Sequence, residues 1–332
     1  ENGTMAVKEL WSFQYAPVTF HAPKWEPIRP APMQVLPPLE AKVKPASKLK
    51  TCVIVPDVQI GYFRDINDKL VPVHDEAAIA VAMEIIHDLQ PTLIVCNGDN
   101  LDFPELSKYR LSPAYALTMQ HALDRAALFA SQLRRAAPKA RIIWLAGNHE
   151  ERLPNYILDN AKAAFGIKKA NDVSAWPVMS IPFLCNFDKY KVEYVPAYPA
   201  NDFWINSNLK VIHGNKSKSS GSTAHMYLAS ENVSVIFGHS HRAELAYKTR
   251  REANGPKTTM AASSGCLCRV DGAVPSTNGG TDLDGRPVKL SENWNQGIGV
   301  VQYETTGKER FTWQHIPILE GWALHEGQLY TA

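Results

Sequence analysis

Five short clusters in this chain carry residues that could do chemistry together. They are Asp57-Val58-Gln59, Gly98-Asp99-Asn100-Leu101-Asp102, Gly147-Asn148-His149-Glu150, His213-Gly214 and Gly238-His239-Ser240-His241. Together they offer carboxylates, amides and imidazoles. Hard oxygen donors beside borderline nitrogen donors suit a divalent ion such as Mn²⁺, Fe or Zn²⁺. Four of the five clusters contain a glycine, whose missing Cβ permits a tight turn and a close approach of backbone to metal or phosphate. Taken singly, each residue is an ordinary strand-end cap or turn residue. Five such clusters in succession make metal chemistry the better reading.

The elements that must position these clusters are legible beside them. Each cluster ends a short apolar run: TCVIVPD (51–57), TLIVCNGD (92–99), RIIWLAGNHE (141–150), LKVIHG (209–214) and VSVIFGHSH (233–241). Their length and β-branched content suit buried strands. Helical spacing lies between them. Over 75–90, Ile79, Ala82, Met83, Ile86 and Leu89 share a face, with Asp75 as N-cap and Pro91 just beyond the end. Over 112–137 a helix is expected to open on Ser112-Pro113 and to run through Leu117, Leu123, Leu128 and Leu133. Strand–helix–strand alternation predicts an α/β layered fold, with sites outside the carboxyl ends of the strands. Toward the C-terminus TTMAASSGCLCRV, GIGVVQYET and FTWQHIPIL read as further strands, with a glycine-rich loop (271–287) after the first. They would extend the sheet or form a second one, giving a β-sandwich flanked by helices.

The clusters and their order resemble the five-motif signature of the calcineurin-like metallophosphoesterases, a superfamily of dinuclear-metal phosphatases, phosphodiesterases and nucleases. The resemblance spans residues 52–242, and the stretches GDNLDFPELSKYR and GNHEERL look like bacteriophage and prophage members. It implies a four-layer β-sandwich flanked by helices, with the metal site at the carboxyl ends of the strands. Asp57 and His241 would bind a first metal ion; Asn148, His213 and His239 would bind a second. Asp99 would bridge the two, one carboxylate giving an oxygen to each. His149 would not be a ligand. It would face the phosphate as general acid or stabilise the leaving oxygen, with Asp102 holding its orientation.

The first motif of the family is usually Asp-x-His, whereas here it is Asp57-x-Gln59. A Gln oxygen is a weaker ligand than imidazole, so the first site would favour a harder ion such as Mn²⁺ or Mg²⁺, or Gln59 stands behind the ligands. The implied cofactors are two divalent ions, Mn²⁺ foremost, with Fe, Zn²⁺, Ni²⁺ or Mg²⁺ as alternatives. A hydroxide held between ions about 3.5–4 Å apart would attack phosphorus in line. The implied activity is a phosphodiesterase or nuclease acting on nucleic acid or nucleotides. It stands ahead of a small-molecule or protein phosphatase, and ahead of a non-catalytic scaffold of the same fold. Protein phosphatases of this superfamily usually carry an Arg after the second aspartate of GDxxD, where this chain has Phe103.

Composition sets the frame. With 332 residues, 45% hydrophobic and 20% charged, the chain can bury a full core. Net charge is 35 − 33 = +2, so any contact with a phosphate backbone must be local. Candidates for such contact are Arg242, Tyr62 with Phe63 and Arg64, and Lys216 in the polar loop 215–222; each has a plain alternative in packing or solvation. Glu150 and Arg152 are expected to pair as a salt bridge at a helix start, or Arg152 to touch substrate. Residues 1–48 hold 8 of the 23 prolines together with Trp11, Phe13, Tyr15, Phe20 and Trp25, which suggests an extended arm lying on the catalytic domain (49–325) or joining two subunits. No apolar run reaches the length of a membrane span, and no basic-then-apolar leader opens the chain. The five cysteines make no disulfide framework. Cys266-x-Cys268 lacks the second pair of a zinc ribbon, leaving zinc there a minor alternative. These features point to the cytoplasm, the host's if the protein is phage-encoded.

Overall fold

Val53, Val55, Ile94, Ile142 and Trp144 alternate along three successive strands with Cys52, Ile54, Val95, Ile143 and Leu145, and the two sets are buried in different cores. A strand sends successive side chains to opposite faces, so this sheet must be covered on both sides. In the computed structural model, the described residues are 49–108, 112–218, 221–253, 255–275 and 293–332, with 12, 14 and 282 besides. Nearly all of the proline- and aromatic-rich segment 1–48, and most of the glycine-rich loop, lie outside them.

The elements run β1 (Lys50–Val55), β2 (Tyr62–Arg64), β3 (Leu70–Pro72), α1 (Glu76–Leu89), β4 (Leu93–Cys96), α2 (Met119–Ala136), β5 (Arg141–Leu145) and α3 (Arg152–Asn160). Then come α4 (Ile181–Leu184), α5 (Phe187–Tyr190), β6 (Val192–Val195), β7 (Phe203–Asn206), β8 (Leu209–Val211), α6 (Thr223–Ser230) and β9 (Ser234–Ile236). The chain ends with β10 (Ala243–Glu252), β11 (Gly255–Ser264), β12 (Gly297–Tyr303), β13 (Phe311–Pro317), β14 (Trp322–His325) and β15 (Gln328–Thr331).

One sheet has the order β13-β12-β1-β4-β5-β6, the other β10-β11-β9-β8-β7. Strands β1, β4, β5 and β6 are mutually parallel, and so are β8, β9 and β11. The first sheet packs α1 and α2 on one face and the second sheet on the other. α6 covers the far side of the second sheet through Ala224, Tyr227 and Leu228 against Val235, Phe237 and Ala261. The result is a four-layer α/β sandwich, as the family resemblance implied. Five of its parallel strands, β1, β4, β5, β8 and β9, deliver their carboxyl ends to the five clusters.

Asp75 caps α1 by accepting the Ala77 and Ala78 N–H groups, each at 3.0 Å, a cap that contributes about 1 kcal/mol. The helix expected over 112–137 is two pieces. Ser112 caps only a single turn, Pro113–Tyr115, and α2 starts at Met119. Leu117 between them takes a left-handed φ of 58°, which a right-handed helix cannot continue through. Glu105 accepts the Thr118 N–H at 2.7 Å and anchors the new start. Leu117 and Leu128 are exposed; the buried face of α2 is Ala122, Leu123, Ala126, Phe129, Ala130 and Leu133. The C-terminal hairpin β14–β15 packs on α1, where Tyr330 and Gln328 both donate to Asp88 at 3.1 Å, so the compact unit runs from Lys48 to Ala332. No helix among the described residues is long and apolar enough to cross a membrane.

Candidate metal centre

Asp57, Gln59, Asp99, His239 and His241 all have positive φ, between 35° and 66°. Each such non-glycine residue costs of order 1–3 kcal/mol, and runs of them mark functional sites. The backbone is held in these turns by bonds from one cluster to the next. Gln59 N–H donates to the Asp99 carbonyl (2.9 Å), His149 N–H to Asp99 Oδ1 (2.9 Å), and His239 N–H to both Asp57 carboxylate oxygens (3.0 and 3.2 Å). Gly147 sits so close beneath Asp99 that a Cβ there would lie 2.2 Å from Oδ1. That position can only be glycine.

The candidate ligands fall into two groups that share one atom. Asp99 Oδ2 lies toward both groups, and Oδ1 accepts the His149 N–H. On one side, His213 Nε2 lies 3.2 Å from Asp99 Oδ2 and 3.2 Å from Asn148 Oδ1, which is itself 2.8 Å from His239 Nδ1. On the other, His241 Nε2 lies 3.2 Å from Asp57 Oδ1 and 3.4 Å from Gln59 Nε2, and Gln59 Nε2 is 3.4 Å from Asp99 Oδ2. Donors bound to one ion at about 2.1 Å sit about 3 Å apart, which is this spacing. Gln59 Oε1 is buried and has no hydrogen-bond partner. A half-turn of the amide, whose terminal torsion is two-fold, puts that oxygen where Nε2 stands. The donor set therefore fits two divalent cations.

Electrostatics agree. Burial opposes a charge on His213, yet the Asp99 and Asp57 carboxylates push it up to about 10. Burial also opposes the charge on Asp99, but the facing His149 and His213 imidazoles hold its carboxyl well below the usual range. The pocket thus attracts positive charge. His239 goes the other way: burial and the neighbouring His213 bring it down to about 4, leaving the neutral imidazole that metal ligation needs.

His149 stands beside these groups, its Nε2 3.7 Å from Asp99 Oδ2. Its Nδ1 lies 2.9 Å from both the carbonyl oxygen and the Oδ1 of Asp102. Both oxygens of Asp102 thus face the ring nitrogen. Burial disfavours the imidazolium, and the charges of Asp99 and Asp102 more than offset that, raising the His149 pKa.

The expected Glu150–Arg152 salt bridge does not form. Glu150 turns inward and is fully buried. It accepts N–H groups from Asp99 (2.8 Å), Asn100 (2.9 Å), Leu101 (3.3 Å) and Gly147 (2.9 Å), and the indole N–H of Trp144 (3.3 Å). A carboxylate offers about four acceptor sites, so these five donors saturate it, and it locks the second cluster to the third. Arg152 instead donates to the Asp102 and Phe103 carbonyls.

Three proposed substrate contacts have neighbours of their own. Tyr62 packs edge-on against His74 (centroids 5.1 Å apart), Lys216 Nζ bonds Ser230 Oγ (2.7 Å), and Arg242 bonds the Lys218 carbonyl. Phe63 is core and Arg64 pairs with Asp68.

Other neighbours were not singled out from the sequence. The Asn97 carbonyl accepts from His213 Nδ1 (2.9 Å) and sets its tautomer. Trp294 packs on His241 (4.1 Å between centroids) and Tyr198 on His213 (5.7 Å). Asn97, a polar residue at a strand end, was a visible signal; the two aromatics, far off in sequence, were not. Cys266 and Cys268 are buried, with Cys268 Sγ 3.8 Å from His241 Nδ1. The two thiols and His241 form a second group that could hold a metal ion.

A family model for calcineurin-like phosphoesterases matches residues 52–243, which contain all five clusters. The chain belongs to this family. No curated protein matches it. As a calcineurin-like phosphoesterase it is a metal-dependent hydrolase of phosphoric esters, and the convergent Asp99, His213 and His239 form its clearest candidate for ion binding.

Proposed function

We propose that this phosphoesterase is a phosphodiesterase, with nucleic acid or nucleotides as its substrate class. The observation that supports a diester is the pair of half-buried aromatic rings, Trp294 beside His241 and Tyr198 beside His213, one next to each ligand group. A diester carries an organic group on either side of phosphorus, and aromatic faces stack on bases with little regard to sequence. A monoester needs only one such wall. Burial and the Asp99 charge push the Tyr198 hydroxyl up to about 12, so it meets a substrate as a neutral phenol.

In this reading Asp57, Gln59, His241 and Asp99 would hold one divalent ion, and Asp99, Asn148, His213 and His239 the other. When bound, the pair supplies a water-derived nucleophile at neutral pH and neutralises charge on the phosphoryl oxygens. The chain's own residues do the rest. Glu150 keeps the Asp99 and Asn148 loops in register. Asp102 holds the His149 ring at Nδ1, leaving Nε2 to serve the leaving oxygen. With substrate bound, the Asp99 charge favours a proton on the His149 ring for transfer from Nε2.

The test is initial rates of metal-free protein reloaded with Mn²⁺, on bis-nitrophenyl phosphate beside nitrophenyl phosphate. A preference for the diester that vanishes in His149→Ala, with metal content unchanged, supports the proposal and leads next to single- and double-stranded DNA. A monoester preference refutes it. Loss of metal in His149→Ala would mean that His149 is itself a ligand.

A further inference from the structure

Arg152 opens α3 three residues after His149, and its guanidinium is anchored at one edge only. Nη1 donates to the carbonyl oxygens of Asp102 (2.7 Å) and Phe103 (3.3 Å). Nη2 lies 3.0 Å from His149 Nε2. Among the described residues Arg152 forms no ion pair, although it is partly buried. Taking a guanidinium out of water without a counter-charge is costly. A neutral ring nitrogen, which can accept only one of its N–H groups, compensates little of that cost.

Its direction is as telling as its lack of a counter-charge. Arg152 Nη2, His149 Nε2 and Asp99 Oδ2 follow one another at 3.0 and 3.7 Å. Asp99 Oδ2 is the atom common to both ligand groups, so a phosphoryl group seated at the metal centre brings a non-bridging oxygen within reach of Nη2. An oxyanion is the ligand that supplies both the missing charge and the acceptor geometry a guanidinium fork prefers.

We propose that Arg152 is a substrate-binding residue that holds a non-bridging phosphoryl oxygen. In the free protein, His149 Nε2 occupies the Nη2 donor. On binding, the phosphoryl oxygen replaces it, Nη1 stays on the two carbonyls, and Nε2 is released toward the leaving oxygen. No bond is made or broken in this exchange; hydrogen-bond partners are traded. It rests on the phosphoesterase site described above and assigns that site its anion-binding group.

The experiment is calorimetric titration of the Mn²⁺-loaded protein with inorganic phosphate, for wild type, Arg152→Met and Arg152→Gln, together with KM and kcat on bis-nitrophenyl phosphate. Arg152→Met should weaken phosphate binding on the order of 10- to 100-fold, as loss of a charge-assisted hydrogen bond does, and lower kcat/KM comparably, with metal content unchanged. Arg152→Gln keeps a donor for the two carbonyls but no charge. It should weaken phosphate binding as well, and it carries the measurement if the Met variant does not fold. Wild-type phosphate affinity in either folded variant, with only a lowered unfolding midpoint, would overturn the proposal and leave Arg152 as a strut between α3 and the Asp102 loop. Absence of phosphate binding by wild type would overturn it too. The titration does not depend on turnover. A protein that binds phosphate through Arg152 yet hydrolyses neither model ester would count against the phosphoesterase site alone.

Discussion

Replacing Glu150 by Gln keeps its shape and removes half of its function. The carboxylate faces five N–H donors: Asp99 and Gly147 on Oε2, Asn100, Leu101 and Trp144 on Oε1. Whichever way the amide turns, its NH₂ must oppose at least two of them. The cheaper orientation gives up the 2.8 and 2.9 Å bonds from Asp99 and Gly147. Hydrogen bonds to a charged group are worth about 1.5–3 kcal/mol each, so the loss is roughly 3–6 kcal/mol. Part is offset, because burial and the nearby Asp99 charge push the Glu150 pKa up and the amide escapes that penalty. The expected outcome is a destabilisation of about 3 kcal/mol. Urea unfolding of the metal-free protein reads it directly, as a fall in midpoint at constant slope. Mn²⁺ affinity should fall with it, because the two freed N–H groups belong to the loops that carry Asp99 and Asn148. A change below about 0.5 kcal/mol, the range of ordinary surface substitutions, would refute the reasoning that Glu150 ties these loops together.

Gly147→Ala places a Cβ 2.2 Å from Asp99 Oδ1 and 2.5 Å from its backbone nitrogen; a stability loss of about 1–3 kcal/mol or more is expected, read as a lower thermal midpoint with reduced bound metal. Gln59→His should lower the Mn²⁺ concentration for half-maximal activity about tenfold, the equivalent of roughly 1.4 kcal/mol; an unchanged value would show that residue 59 does not reach the ion. In the metal-free protein, His239 at about 4 lies below its unfolded value of about 6.5. The unfolded chain therefore takes up the proton first as pH falls, and stability drops between about 6.5 and 4, by about 3 kcal/mol for this residue. His239→Asn should flatten that part of the stability–pH curve, and an unaltered slope would show that His239 titrates normally.

Much of this protein could be read from its sequence. The five apolar runs and their polar ends located β1, β4, β5, β8 and β9 and the turns after them, because burial on both faces leaves strands that are apolar throughout. The types and order of Asp57, Asp99, Asn148, His213, His239 and His241 pointed to metal chemistry, because each donor sits where a parallel strand must end. Asp75 was legible as a cap because capping is local. Leu117 misled because its left-handed turn is stabilised from Glu105 and Tyr115, outside any helical period. Only the tertiary structure decided the rest. Glu150 and Arg152 look like a local ion pair, yet one is spent on buried N–H groups of two loops and the other on carbonyls 49 and 50 residues away. Trp294 and Tyr198 reach the site from separate parts of the chain. That Asp99 Oδ1 meets the His149 N–H while Oδ2 lies toward both ligand groups depends on contacts across 50 residues and more. Periodicity and residue type carry information about which face is buried and which chemistry is available. Which partner each buried polar group finds is settled only when distant loops meet, since every buried donor and acceptor must then be satisfied together.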